Sequence, residues 1–237
     1  MSAHAQRGLL AAMLARVEDF LLEPAEPTRE AASPAPAAQR PVIAVFGLAR
    51  RCGTTTVARA LAAELAARDG GAAAVSSPVS AAGIPLASPA AARLAKAMAE
   101  MPRARTRAVG RLCLVEGPSP LELADAARLH APLVLDAGSE QVGGAAAAVA
   151  DHVLLVGAPS VEPALAVVVA GCLARVGPEP LVVLNRADGR PAWEGRAAHE
   201  LPESRMGAQL ALGGREPRGA LGCAVAELAD RCAEPGS

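Results

Sequence analysis

Tyrosine is absent from this 237-residue chain, and aromatic residues make up only 1% of it: Phe20, Phe46 and Trp193. So few rigid stacking platforms argue against base-stacking recognition of single-stranded nucleic acid. Lysine is nearly absent as well. Lys96 is the only one among 23 basic residues. Arginine is kept everywhere else, so a lysine missing from a motif is not explained by a general loss of positive charge. Neither sign of charge is in excess, since 24 acidic residues leave a formal net charge of -1. A polyanionic partner is therefore not implied, and nucleic acid is not expected as one. The five cysteines, Cys52, Cys113, Cys172, Cys223 and Cys232, include no C-x-x-C pair and are odd in number. They read as reduced thiols of a cytosolic protein, Cys52 as a small apolar filler and the other four as core. The histidines are scattered and outline no zinc site. No signal peptide is recognisable, and the apolar runs meet charges or prolines before they reach the length of a membrane span. A cytoplasmic protein is expected.

Hydrophobic residues, by contrast, make up 52% of the chain, so a sizeable core must be built from Val, Leu, Ile and Ala. Three regions differ in pattern. Within residues 1–22, RGLLAAMLARVEDFLL (7–22) is an amphipathic helix, with Leu9, Leu10, Met13, Leu14, Val17, Phe20 and Leu21 at spacings of three and four. Residues 23–41 are rich in Pro, Ala, Ser and Glu and read as a linker. The polar face of the 7–22 helix is not strongly basic. Docking on a partner or on a second copy therefore outranks membrane binding, which would be peripheral at most.

From residue 42 to residue 233, strands and helices alternate. Apolar runs of strand length occur at 42–47, 72–76, 111–116, 132–137, 152–157 and 181–185, with a weaker strand expected at 207–212. Alanine-rich helical stretches fall at 54–68, 88–101, 119–129, 140–150, 160–175 and 219–232. Continuous apolar strands alternating with helices predict an α/β domain with a mostly parallel sheet and helices on both faces. Ligands in such sheets bind beyond the carboxyl ends of the strands.

After the first strand the chain reads VFGLARRCGTTTVARAL, residues 45–61. This outlines a phosphate-cradling loop: glycines let the backbone wrap an anion, and the following helix points its free N–H groups at it. The usual pattern, G-x-x-x-x-G-K-[ST], would put its first glycine at Leu48 and its lysine at Thr54, while Thr55 is correctly placed to offer a hydroxyl to Mg²⁺. Two readings stay open, an anion site or a plain strand-to-helix turn with threonine capping. PLVLDAGS (132–139) ends a strand in Asp136, which either faces the site or caps the next helix. LVVLNRAD (181–188) carries Asn185, a site residue or a turn residue.

GLARRCGTTTVARALAAELAARDG resembles the opening of the MinD/ParA family of deviant Walker ATPases, P-loop proteins of the SIMIBI class. The family pattern there is K-G-G-x-G-K-T-T. Its first lysine falls on Ala49, its paired glycines on Arg50 and Arg51, its third glycine on Gly53, its second lysine on Thr54 and its threonines on Thr55 and Thr56. PLVLDAGS, ADHVLLVGAPSVEPALAVVVAG and LVVLNRAD resemble later family segments, so the likeness runs roughly over residues 41–233. The resemblance implies a P-loop NTPase-like fold and a nucleotide site formed by Arg50, Arg51, Gly53, Thr54, Thr55, Thr56, Asp136 and Asn185. It also implies ATP as the nucleotide, with Mg²⁺ held by Thr55 and Asp136. GTTTVARALA is most similar to the CpaE/TadZ branch associated with Tad pilus assembly, which often lacks the second lysine.

Two departures bear on catalysis. The lysines are gone, and Ser76 and Ser77 stand where the family has a D-x-D-like segment. Each such loss typically lowers a rate by ~100-fold to ~1,000-fold, so negligible hydrolysis is expected. Arg50 and Arg51 would restore part of the charge. The implied protein is a non-catalytic or weakly catalytic localisation or assembly factor for a Tad-type pilus or secretion system, recruited to a membrane-bound assembly through a protein partner or a homodimer. The alternative is an active ATP-dependent dimerisation switch in cell division or partitioning.

Overall fold

The computed structural model describes residues 40–69, 71–79, 86–139, 144–187 and 191–233. The expected helix over 7–22 and nearly all of the linker over 23–41 lie outside the described residues. In chain order the elements are β1 (Val42–Gly47), α1 (Thr54–Arg68), β2 (Ala73–Ser76), α2 (Pro89–Met98), β3 (Arg105–Val109), β4 (Leu112–Glu116), α3 (Pro120–His130) and β5 (Leu133–Gly138). There follow α4 (Ala145–Val149), β6 (His152–Gly157), α5 (Ala164–Leu173), β7 (Leu181–Ala187), a short 3-10 turn (Pro191–Trp193), β8 (His199–Pro202), α6 (Arg205–Leu212) and α7 (Gly219–Ala233).

The strands form one eight-stranded sheet in the order β3-β4-β2-β5-β1-β6-β7-β8. Every neighbouring pair runs parallel except the β3–β4 hairpin at one edge. All six residues of β1 are buried. A strand covered on both faces needs such an unbroken apolar run. The connection β1→β2 steps along the sheet in the opposite sense to β4→β5. Right-handed crossovers therefore place α1 and α3 on opposite faces, and the fold is the doubly covered parallel sheet that the alternation predicts.

The element that matters most for the site is α1. Val57, Ala58, Arg59, Ala60, Leu61, Ala62, Ala63, Leu65 and Ala66 are all buried. A helix buried nearly all round must lie between layers, and α1 does so, between the sheet and the pair α6 and α7. Alanine is what lets it lie so close to both.

Three expectations need correction. The segment 207–212 is not a strand but most of α6, whose start is fixed by the Ser204 hydroxyl accepting the Gly207 N–H at 3.0 Å. Gly207 and Ala211, four residues apart, form its buried stripe, a helical spacing that the short apolar run disguises. Two strands, β3 and β8, were not anticipated from the sequence. RTRAV has arginines on an edge strand, a device that blunts edges and hides the strand pattern. HELP is four residues long and polar at its start. Finally, Cys52, Cys113 and Cys232 are buried but Cys172 and Cys223 are exposed, so the latter two are surface thiols of α5 and α7 rather than core.

Candidate functional site

The loop between β1 and α1 is anchored by one buried side chain near each end. Leu48 and Cys52 are buried, whereas Arg50 and Arg51 are exposed. Leu48 and the fully buried Trp193 both rest on Gly157 at the end of β6, where any Cβ would collide with the indole. Burial pushes the Cys52 thiol above its usual range, against the loop's hydrogen bonds and the charge of Arg186. It is a loop filler and not an activated thiol. Backbone bonds complete the turn: Leu48 N–H donates to Val156 carbonyl at 2.9 Å and Cys52 N–H to Ala49 carbonyl at 3.4 Å.

The end of β7 pins the loop from the other side. Asn185 is buried, and its Nδ2 donates to the Cys52 carbonyl at 2.8 Å. The neighbouring Arg186 donates from Nη2 to the Arg51 carbonyl at 2.7 Å. Arg51 (φ 66°) and Arg186 (φ 59°) are both in the left-handed region, two of the three non-glycine residues there among those described. Such backbone costs roughly 1–3 kcal/mol per residue and persists where surrounding contacts over-determine it. Asn185, assigned by resemblance to the base, thus has its amide nitrogen on the loop backbone.

Gly53 closes the loop with φ 85° and ψ 23° and begins α1 without any side-chain cap. Its φ suits glycine, and a Cβ there would also strike the Asn185 amide. Threonine capping of this turn is therefore not what the structure has. The helices α2, α3 and α6 each begin with a serine hydroxyl accepting a backbone N–H, whereas α1, like α4 and α5, begins without a side-chain cap. Thr54 is buried, its hydroxyl packed against Gly47 so closely that only glycine fits there. Thr55 and Thr56 are half-buried.

Asp136, near the end of β5, receives a hydrogen bond from the Thr55 hydroxyl and another from the Gly138 N–H. Burial nevertheless holds its carboxyl above the ordinary range, against those two bonds and the charge of Arg59. Asp136 Oδ1 is buried and has no hydrogen-bond partner among the described residues. The structure therefore brings Gly53, Thr54, Thr55, Thr56, Asp136 and Asn185 to one end of the sheet, and leaves the Arg50 and Arg51 side chains at the surface. Sequence reasoning missed Arg186, whose role depends on a bulge in β7, and Arg59, a buried guanidinium four residues after Thr55. The one signal for Arg59 is a charge inside an otherwise alanine-rich helix.

No family model matches the chain, and no curated protein matches it in sequence. Solved structures do match. The septum site-determining protein MinD complexed with Mg-ADP from Pyrococcus horikoshii OT3 aligns with a TM-score of 0.57 at 16% identity, over 82% of this chain and 96% of that one. The fold is that of the MinD/ParA P-loop NTPases. A ParA family ATPase from Chlorobium tepidum TLS gives a TM-score of 0.55 at 16% identity, covering 80% of this chain and 98% of that chain. MinD in a MinC:MinD cell division protein complex from Aquifex aeolicus gives 0.55 at 17% identity, covering 81% and 95%.

In a MinD/ParA-type fold, the uncapped first turn of α1 and the left-handed Gly53 are suited to a phosphate: donors converge where the helix dipole is positive. Thr55 and Asp136 offer the hard oxygens that Mg²⁺ takes.

Proposed function

We propose that this chain is a MinD/ParA-like protein that binds ATP at the loop after β1, hydrolyses it weakly or not at all, and works as a localisation or assembly factor. The observation that carries this reading is the contact between Thr55 and Asp136 at the uncapped start of α1, with no lysine in the loop. The contact provides a polar floor and the helix start provides donors for phosphates. Lysine would supply the mobile charge that stabilises a transferring phosphoryl group, and its absence leaves binding without efficient chemistry. Arg50 and Arg51 lie at the rim, and their charges favour an incoming polyphosphate.

The likeness of GTTTVARALA to the CpaE/TadZ branch favours a Tad-type pilus or secretion assembly as the setting, with peripheral recruitment to the membrane-bound machine. No helix among the described residues is long and apolar enough to cross a membrane. One structural neighbour was solved bound to MinC; here the corresponding role falls to a protein partner or a second copy, through residues 7–22. An apolar, uncharged α5 with Leu165, Val167 and Val168 exposed also supports a contact-making role.

Calorimetric titration with ATP tests the proposal. Binding is expected, and Thr55→Ala is expected to weaken it by about tenfold or more, since it removes both a phosphate-side hydroxyl and the bond to Asp136. Absence of binding at millimolar ATP would overturn the nucleotide site. Turnover comparable to active MinD or ParA proteins would instead favour an ATP-driven switch.

A further inference from the structure

α5 has the composition of a buried helix in an exposed place. Its sequence, ALAVVVAGCL, carries no charged residue on any side, yet only Ala166 and Leu173 are buried. A helix that is apolar all round is ordinarily covered all round. Here Leu165 is 39%, Val168 63% and Val167 73% exposed. The crossover from β6 to β7 steps along the sheet in the same sense as β4→β5, so α5 lies on the face away from α1. Gly171 is exposed in the last turn of α5, and nothing lies within 4 Å of where its Cβ would stand. Glycine weakens a helix, and no packing within this chain requires it there. A missing side chain on an open face lets a second backbone come close. Valine is likewise a poor choice for an exposed helix unless its branched side chain packs against something. Opposite charges flank the face. Glu162 stands just before α5 and Arg175 just after it, both exposed, and neither has a polar partner among the described residues. The two are equally far in sequence from the midpoint between Val168 and Val169.

We propose that α5 is the contact between two copies of this chain, paired antiparallel about a two-fold axis near Val168. A two-fold interface uses one patch twice, so the patch must complement itself. Antiparallel pairing achieves this. Glu162 of each copy comes to the end where the other has Arg175, and Val168 lies close to its own counterpart at the axis. Parallel pairing would instead bring Glu162 to Glu162 and Arg175 to Arg175. The two helix dipoles also attract when they lie head to tail. A membrane surface fits this face less well, because it selects a polar rim rich in basic residues, and here Glu162 offsets Arg175. A ten-residue helix covers less area than a standard interface, so a dimer of micromolar affinity is expected. The inference does not rest on the nucleotide site proposed above, and the pairing needs no ATP.

The test is analytical ultracentrifugation of the full-length protein at low salt without nucleotide. The average mass is expected to rise from the 23.7 kDa of one chain towards twice that value between about 1 and about 100 µM protein. A single-chain mass throughout, or a dimer that forms only with ATP, overturns the inference. Val168→Glu places two carboxylates at the axis and is expected to stay a single chain over the same range. A dimer that persists in this variant uses another surface, residues 7–22 included, and overturns the inference. Glu162→Arg and Arg175→Glu are each expected to weaken the dimer by about threefold or more, and the two together to restore it to within about twofold of wild type. Single reversals without effect, or a double variant no tighter than the singles, overturn the antiparallel pairing. All three side chains are exposed, so these substitutions leave the core intact. A single-chain result leaves the ATP titration of the preceding section untouched, so the two readings fail separately.

Discussion

Asp136 combines a buried carboxyl with a hydrogen bond from Thr55, and the two act in opposite directions on its proton. Burial dominates and raises its folded-state pKa above the ordinary carboxylate value. The native state therefore holds this proton more tightly than the unfolded chain does. Its contribution to stability is fully present below the unfolded pKa and is lost as pH rises through the higher folded value. Asp136→Asn removes this titration while keeping an oxygen for Thr55. The variant is expected to melt above wild type near neutral pH, with the gain shrinking towards zero at acid pH where both states carry the proton. Thermal unfolding followed by circular dichroism across that range checks it; a gain independent of pH would show that the carboxyl is not the cause. Arg59 is the other residue whose role depends on place. Its neighbours in sequence are alanines and leucines, and nothing local says that its head is buried. Only the arrival of Ser77 from β2 and of the Leu212 carbonyl from α6 makes it an internal cation.

Among the elements, the end of β7 does more than close the sheet. Its bulge between Asn185 and Ala187 turns Arg186 into the left-handed region, and two consecutive side chains grip two consecutive carbonyls of the loop. Asn185→Ala would leave the Cys52 carbonyl buried and unpaired, at a cost of about 1–3 kcal/mol. Urea denaturation is expected to show that loss, and ATP affinity should fall with it as the loop loosens; an unchanged midpoint would mean that Arg186 alone holds the turn. What was legible among elements follows from periodicity and length. The runs at 42–47, 152–157 and 181–185 are continuous, apolar and buried, and the β1–α1 junction is bounded by glycines. β3 was hidden by the two arginines that protect an edge, and β8 by its brevity. α6 has apolar residues close enough to mimic a strand, and the Ser204 cap decides it as a helix.

For the whole molecule, the fold was readable because it depends on many residues at once: six long-range strand runs and their intervening helices agree on one architecture. The site was readable only in part. Gly53, Thr55 and Asp136 meet at one end of the sheet, as the strand-to-helix pattern of the chain predicts. The placement of Asn185 on the loop backbone and the inward Arg59 arise from packing between elements far apart in sequence, which no local motif records. The same contrast shapes the proposed function. The MinD/ParA-type fold is present, while Thr54 stands where the family pattern has its second lysine and Ser76 and Ser77 where it has a D-x-D-like segment. The proposed function thus treats binding and chemistry as separable. A single-turnover assay, with the protein in excess over ATP labelled on its γ-phosphate, reads both together. The expected outcome is ATP retained by the protein with almost no phosphate released over many minutes; rapid release of phosphate from the bound pool would show that the loop hydrolyses what it holds.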